Sequence, residues 1–393
     1  MAHQADPLLT PYDLFIFAGE PSGDLHGEAL IENLRTLHPN ITLFGVGGPK
    51  MRAAGLNCIV KMEQFQVMGF VSVFFALPKI IRLFYFLAKT ILLNKPKAVL
   101  FIDYPGFALR LEKHLKKKHF SGKIIHYICP SVWAWGKKRI PLMEKTLDLL
   151  ISIFPFERKC FSSAFPIEYV GNPLVSRIAT HEYHPLEFPA NKKIISLFPG
   201  SRVKEINLNF ALQLKALEHL MKKDNDVLGA ISVSQEKFLP LLKNYLDTLV
   251  PDLKNKVFFI PIERTYDLMA NSFLAIAKSG TVNLELALHK VPTVVLYKIS
   301  PLDLFIAKDI FHICLPFYCI VNIIEQKEVF KELFGSHANE ENLLPEAERL
   351  LLDLSYRKEK IKLCQEVIDH LGQLNASKQA AALILDRFFK GVF

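Results

Sequence analysis

Two apolar runs in the second half of the chain each end in small residues and then open a helix. The first is Ile194-Ile195-Ser196-Leu197-Phe198, followed by Pro199-Gly200-Ser201-Arg202, with Glu205 just after. The second is Phe273-Leu274-Ala275-Ile276-Ala277, followed by Lys278-Ser279-Gly280-Thr281, with Glu285 just after. A strand that turns directly into a helix is the building unit of a parallel sheet. Such a joint also presents backbone N–H groups and a helix N-terminus to an anion, most often a phosphate. Two of them in one domain suggest a nucleotide diphosphate held between them. One alone would say little, because small residues also simply turn a chain.

The same strand–helix alternation runs through the whole sequence and predicts a doubly wound α/β fold. Strands are expected at Leu14–Ala18, Ile41–Val46, Ala98–Ile102, Lys123–Ile128 and Leu149–Ile153. After the turn-rich Tyr169-Val170-Gly171-Asn172-Pro173-Leu174 the alternation restarts, with strands at Ile194–Phe198, Val227–Val233, Val257–Ile260, Phe273–Ala277 and Thr293–Tyr297. A domain boundary is therefore expected near Gly171. The tail from Glu340 reads as charged helix.

The chain has 393 residues, half of them hydrophobic, enough for about two domains. Its net charge of +9 favours anionic partners: nucleic acid, phosphorylated substrates or acidic lipid. Cys58, Cys129, Cys160, Cys314, Cys319 and Cys364 form neither a CxxC pair nor a zinc spacing, so reduced thiols are expected. The first residues lack a basic region followed by an apolar stretch, and no signal peptide is expected. Asp224-Asn225-Asp226 resembles a metal-binding DxD, but it precedes its strand and reads as a surface turn.

Residues 64–93 are very apolar, yet Pro78, Lys79, Arg82 and Lys89 interrupt them short of the ~20 residues a spanning helix needs. From Pro78 onward the stretch reads as a helix. It is either a buried helix of a parallel-sheet protein or a patch that dips into a bilayer and grips acyl chains, with Val67, Met68, Phe70, Phe74 and Phe75 at its tip.

Carboxylates fall where strands end, the place where such sheets bind ligands. Asp103 directly follows Val99-Leu100-Phe101-Ile102, and could accept a proton from a substrate hydroxyl or cap the next helix. Gly19-Glu20-Pro21-Ser22-Gly23-Asp24 follows the first strand. Gly19 and Gly23 allow close backbone approach; Glu20, Ser22 and Asp24 line a substrate, or Ser22 or Asp24 merely caps the helix. Arg202 offers a guanidinium fork to a phosphate, or is a surface residue. Glu285, one helical turn past Thr281, could hold a ribose or simply favour the helix dipole. Trp133, in Pro130-Ser131-Val132-Trp133-Ala134-Trp135, is either a wall for a sugar ring or core. The basic run Lys116, Lys117, Lys118, Lys123, Lys137, Lys138 and Arg139 reads as a solvated face or as attraction to anionic headgroups.

Taken together and in order, Ala18-Gly19-Glu20-Pro21-Ser22-Gly23-Asp24, Val67-Met68-Gly69, Ile102-Asp103-Tyr104-Pro105-Gly106-Phe107, Pro130-Ser131-Val132-Trp133-Ala134-Trp135, Phe154-Pro155-Phe156-Glu157, Val170-Gly171-Asn172-Pro173, Pro199-Gly200-Ser201-Arg202 and Ser279-Gly280-Thr281 resemble the lipid-A-disaccharide synthase family. The resemblance implies a glycosyltransferase-B fold, two Rossmann-like doubly wound domains facing a cleft. It implies an acceptor- and lipid-binding domain over 1–171, a UDP-sugar domain over 172–354 and helices over 355–393 that pack back on the first domain. It implies inverting transfer without metal or cofactor, from UDP-2,3-diacylglucosamine to 2,3-diacylglucosamine 1-phosphate (lipid X). Asp103 and Arg202 would be catalytic. Gly200, Ser201, Arg202, Glu205, Ser279, Gly280, Thr281, Glu285 and Asn322 would bind the donor. Gly19, Glu20, Ser22, Gly23, Asp24 and Trp133 would bind the acceptor. The protein would sit peripherally on the cytoplasmic face of an anionic inner membrane, without nucleic acid, and a homodimer is compatible with this picture. The rival readings are another UDP-sugar enzyme of the same fold, such as a 2-epimerase, and a basic RNA- or lipid-binding protein.

Overall fold

The structure, a computed structural model, describes residues 12–65, 70–134, 136–299 and 315–389, with the backbone alone for 70–76. The chain forms two compact units, Met1–Ser176 with Leu374–Phe393, and Arg177–Gln373.

In the first unit β1 (Leu14–Ala18), α1 (Pro21–Leu37), β2 (Leu43–Gly47), α2 (Pro49–Ala53), β3 (Asn57–Lys61), α3 (Phe70–Asn94), β4 (Ala98–Ile102), α4 (Pro105–Lys117), β5 (Lys123–Tyr127), α5 (Ile140–Thr146), β6 (Leu149–Ser152) and β7 (Ile167–Tyr169) follow one another. The sheet is parallel, in the order β3-β2-β1-β4-β5-β6-β7. Every residue of β1, β2 and β4 is buried. Helices cover both faces of such a sheet, so its central strands read as unbroken apolar runs. The helix α3 starts at Phe70 and runs through Pro78, where sequence reading had it begin. A proline's φ suits a helix, and its missing N–H removes one hydrogen bond.

The boundary between the units falls inside α6 (Pro173–Ala179), between Ser176 and Arg177, five residues past the expected Gly171. The second unit holds β8 (Lys193–Phe198), α7 (Val203–Lys223), β9 (Val227–Val233), α8 (Leu239–Leu249), β10 (Val257–Pro261), α9 (Thr265–Ala270), β11 (Ser272–Lys278), α10 (Val282–Leu288), β12 (Thr293–Tyr297), α11 (Ile320–Glu325), β13 (Lys331–Phe334), α12 (Glu340–Leu352) and α13 (Leu354–Leu371). Its sheet is also parallel, in the order β10-β9-β8-β11-β12-β13.

The tail divides differently from the expected 355–393. The helix α13 stays with the second unit, packed on α10 and α12. The last helix, α14 (Ala376–Phe388), belongs to the first unit and lies on α1. Ala376, Ala380, Ala381 and Ile384 join Leu30, Ile31 and Leu34 in one buried cluster. Gly171 lets the chain pass close to that tail: at φ +96° a Cβ there would meet Leu374 at 2.7 Å.

Candidate active site

The pairing of Ala18 with Ile102 sets the carboxyl ends of β1 and β4 side by side. Glu20 and Asp103 leave those two strands, and their carboxyls are hydrogen-bonded to each other. Burial, and then the Asp103 charge, pushes the Glu20 carboxyl up to about 7, while the Ser22 hydroxyl opposes the shift by donating to it. Asp103 and Tyr104 lie consecutively in the left-handed region, at φ 50° and 54°. Two such non-glycine residues in a row store backbone strain, which a well-packed surrounding must hold. The Asp103 N–H donates to the Tyr127 carbonyl at 3.0 Å, and the Tyr104 hydroxyl to the Phe65 carbonyl at 3.1 Å. The Tyr104 ring sits so close to Gly19 that a Cβ there would come within 2.7 Å of it.

Asp24 is not part of this group. It is 3% exposed, and its carboxylate accepts the N–H groups of Gly48, Lys50 and Met51 at 2.8–3.1 Å. It ties α1 to the start of α2, so the expected acceptor role gives way to a structural one. Gly23 is likewise a packing residue, where a Cβ would lie 3.3 Å from Ala18. Trp133 meets Phe156 edge-on at 5.6 Å and hydrogen-bonds the buried Glu157. The Ser152 hydroxyl donates to Glu157 at 2.6 Å, and burial pushes the Glu157 carboxyl up to about 7. Trp135 lies outside the described residues.

Beside Glu20 opens a cavity of about 910 Å³. One wall is α3, through Leu77, Ile80, Ile81, Phe84 and Tyr85, and the opposite wall is Tyr104 to Phe107. Arg110 and Arg139 also face it. Leu77, Ile81, Tyr85 and Phe86 are 45–61% exposed, and Lys79, Arg82 and Lys89 are exposed on the same helix. Of the expected acyl-gripping residues, Val67 and Met68 lie outside the described residues, as do the side chains of Phe70, Phe74 and Phe75. The apolar wall that is described lies further along the helix. No helix among the described residues is long and apolar enough to cross a membrane.

In the second unit the two joints meet. Gly200 adopts φ +124°, and a Cβ there would strike the Glu205 Cβ at 2.7 Å. Glu205 accepts the Ser201 N–H at 2.9 Å, Lys278 Nζ at 3.1 Å and Arg202 Nη1 at 3.3 Å. Those partners hold its carboxyl below the usual range against the opposing effect of burial. Gly200, Ser201, Glu205, Lys278, Ser279, Gly280, Thr281 and Glu285 line one cavity of about 260 Å³, together with Ser232, Ser234 and Thr265. A Cβ on Gly280 would meet nothing within 4 Å, so this joint opens onto space.

Burial raises the Glu285 carboxyl, opposed by the Tyr266 hydroxyl, which donates to it at 3.0 Å, and by the Arg177 charge. The Arg202 side chain is 81% exposed and is not among the described residues lining the cavity. Asn322 does not line it either. It is fully buried, its amide donating to the Phe330 carbonyl and to Glu332 and its oxygen accepting the N–H groups of Val329 and Phe330. With every hydrogen-bonding position of its side chain used, Asn322 clasps its own loop, and the expected donor contact is corrected. Asp224 and Asp226 pair with Lys193 and Lys192 ahead of β9, as a surface turn does.

The model of the family described as lipid-A-disaccharide synthetase matches residues 14–385. The chain belongs to that family. Among its relatives, the lipid-A-disaccharide synthase of Chlamydia pneumoniae is 39% identical over 88% of this chain and 57% of its own length, and that of Chlamydia felis 39% identical over 92% and 58%. The chain thus spans just over half the length of these curated relatives. The Geobacter sulfurreducens synthase is 31% identical over 98% of this chain and 99% of its own. Among solved structures, a putative UDP-N-acetylglucosamine 2-epimerase from Listeria monocytogenes superposes with a TM-score of 0.64 at 15% identity, covering 96% of each chain. The kitacinnamycin glycotransferase gives 0.60 at 11% identity, covering 96% of this chain and all of its own. At such identities the likeness speaks for fold alone, the glycosyltransferase-B fold that the epimerase also has. Sequence reasoning missed Tyr266, which lies in an ordinary short helix, and the backbone strain at Tyr104, which composition does not reveal.

Proposed function

We propose that the chain is an inverting lipid-A-disaccharide synthase. It transfers 2,3-diacylglucosamine from UDP-2,3-diacylglucosamine to the 6-hydroxyl of lipid X, giving the β-1,6-linked disaccharide 1-phosphate and UDP, with no metal required. The observation that carries the reading is the hydrogen-bonded Glu20–Asp103 pair beside a large apolar cavity. A water-soluble sugar has no use for such a wall, whereas acyl chains gain about 0.8 kcal/mol per buried CH₂.

In this reading Asp103 removes the proton from the acceptor hydroxyl. The oxygen attacks the anomeric carbon of the donor as the bond to the diphosphate breaks, which inverts that centre. Negative charge gathers on departing UDP, where the N–H groups of Ser279, Gly280 and Thr281, with Lys278 and the exposed Arg202, stabilise it. Glu285 accepts hydroxyls of the ribose. The exposed apolar and basic face of α3 rests peripherally on the anionic cytoplasmic face of an inner membrane. Incubation with both lipids, followed by mass spectrometry, tests the reading. Formation of the disaccharide 1-phosphate supports it. Turnover of soluble UDP-N-acetylglucosamine in its place would favour the epimerase-like alternative.

A further inference from the structure

The apolar cavity of the first unit carries a charge pattern that acyl chains do not need. Among its described lining residues, Arg110 and Arg139 bring the positive charge and Glu20 the negative. They reach it from different elements. Arg110 stands on α4, where its Nη1 donates to the Gly106 carbonyl one turn back, beside the strained Asp103-Tyr104 corner. Arg139 ends the short turn Lys137–Arg139 that leads into α5. The rest of the lining is hydrocarbon and aromatic ring apart from the hydroxyls of Tyr85 and Tyr104. A long basic stem can lie along an apolar wall for packing alone. Two arginines from different elements on the lining of one apolar cavity, beside an acid raised to about 7, instead match an amphiphile whose head is a phosphate.

We infer that Arg110 and Arg139 bind the phosphate monoester of the acceptor lipid, while α3 holds its acyl chains. This rests on the acceptor assignment above and deepens it. The donor's diphosphate is served by the small-residue joints of the second unit, so a phosphate clamp in the first unit selects between the two lipids. It admits the acyl sugar that carries a phosphate monoester and orients it with its phosphate at the arginines. The basic residues Lys79, Arg82 and Lys89 on α3 serve the bilayer instead, being exposed and absent from the described lining.

The test is binding of lipid X and of its 1-dephosphorylated analogue, in neutral detergent micelles, to the full chain and to R110Q, R139Q and the corresponding lysine variants. The wild type is expected to prefer the phosphorylated lipid. Each glutamine variant should lose about tenfold in affinity for it, and should bind the analogue within about twofold of wild type. Lysine should restore part of the loss. Equal phosphate preference in wild type and variants overturns the clamp. So does a preference that disappears in neutral micelles and returns only on phosphatidylglycerol vesicles, which would assign the arginines to membrane headgroups. Transfer is measured separately: a wild type that prefers the phosphorylated lipid yet forms no disaccharide defeats the proposed reaction and leaves the clamp standing.

Discussion

Burial, and then the Asp103 charge close by, resists ionisation of Glu20 and pushes its carboxyl up to about 7. We expect kcat/KM to climb as pH rises through about 7, and E20Q to move or abolish that limb; a profile identical to wild type would separate Glu20 from the base. The same shift has a sign for stability. The folded state keeps this proton to a higher pH than the unfolded chain, so stability falls between about 4.5 and about 7 as pH rises. E20Q should therefore melt higher than wild type at pH 8, by about 1–2 kcal/mol after solvent screening, and alike below pH 4. At the second site, Y266F should weaken the hold of Glu285 on a ribose. The expected result is a reduced preference for UDP over 2′-deoxy-UDP with kcat little changed; an unaltered preference would make Tyr266 a packing residue. Sequence alone placed Asp103 and Glu20 at strand ends, where parallel sheets bind ligands, and Glu285 one helical turn past such a joint. It could not separate Asp24 and Asn322 from them, because a carboxylate or amide that staples backbone looks the same in a sequence as one that meets substrate.

At the scale of elements, the expected strands all match observed ones within about two residues at either end. The strands that escaped notice, β3, β7 and β13, are edge strands. Each mixes polar with apolar residues, since an edge is covered less fully than the centre and gives no long apolar run. The helix α3 shows the converse. Its apolarity is plain in the sequence, but which residues wall a cavity and which meet solvent depends on how it packs on α4. Its exposed side chains should set membrane affinity: I81D with Y85D is expected to cut co-sedimentation with phosphatidylglycerol vesicles at least tenfold. Binding equal to wild type would place the membrane contact elsewhere.

For the whole molecule, the chain order and the packing order differ at one point. After the second unit is complete, the last twenty residues return to the first. Deletion of residues 374–393 would strip α14 from α1 and bare Leu30, Ile31 and Leu34, so the first unit is expected to lose several kcal/mol of stability. Unchanged melting of that unit would make the tail dispensable. The repeated α/β plan was legible because both sheets are read from apolar runs, whereas the division of the tail depends on tertiary packing that charged helices do not announce. The most direct measurement is transfer by wild type and D103N, with UDP-2,3-diacylglucosamine and lipid X, read by mass spectrometry of the lipid. The wild type should yield the disaccharide 1-phosphate and UDP, with folded D103N slower by about a hundredfold or more; a folded D103N that keeps near-full activity, or a wild type that forms no disaccharide, would contradict the account.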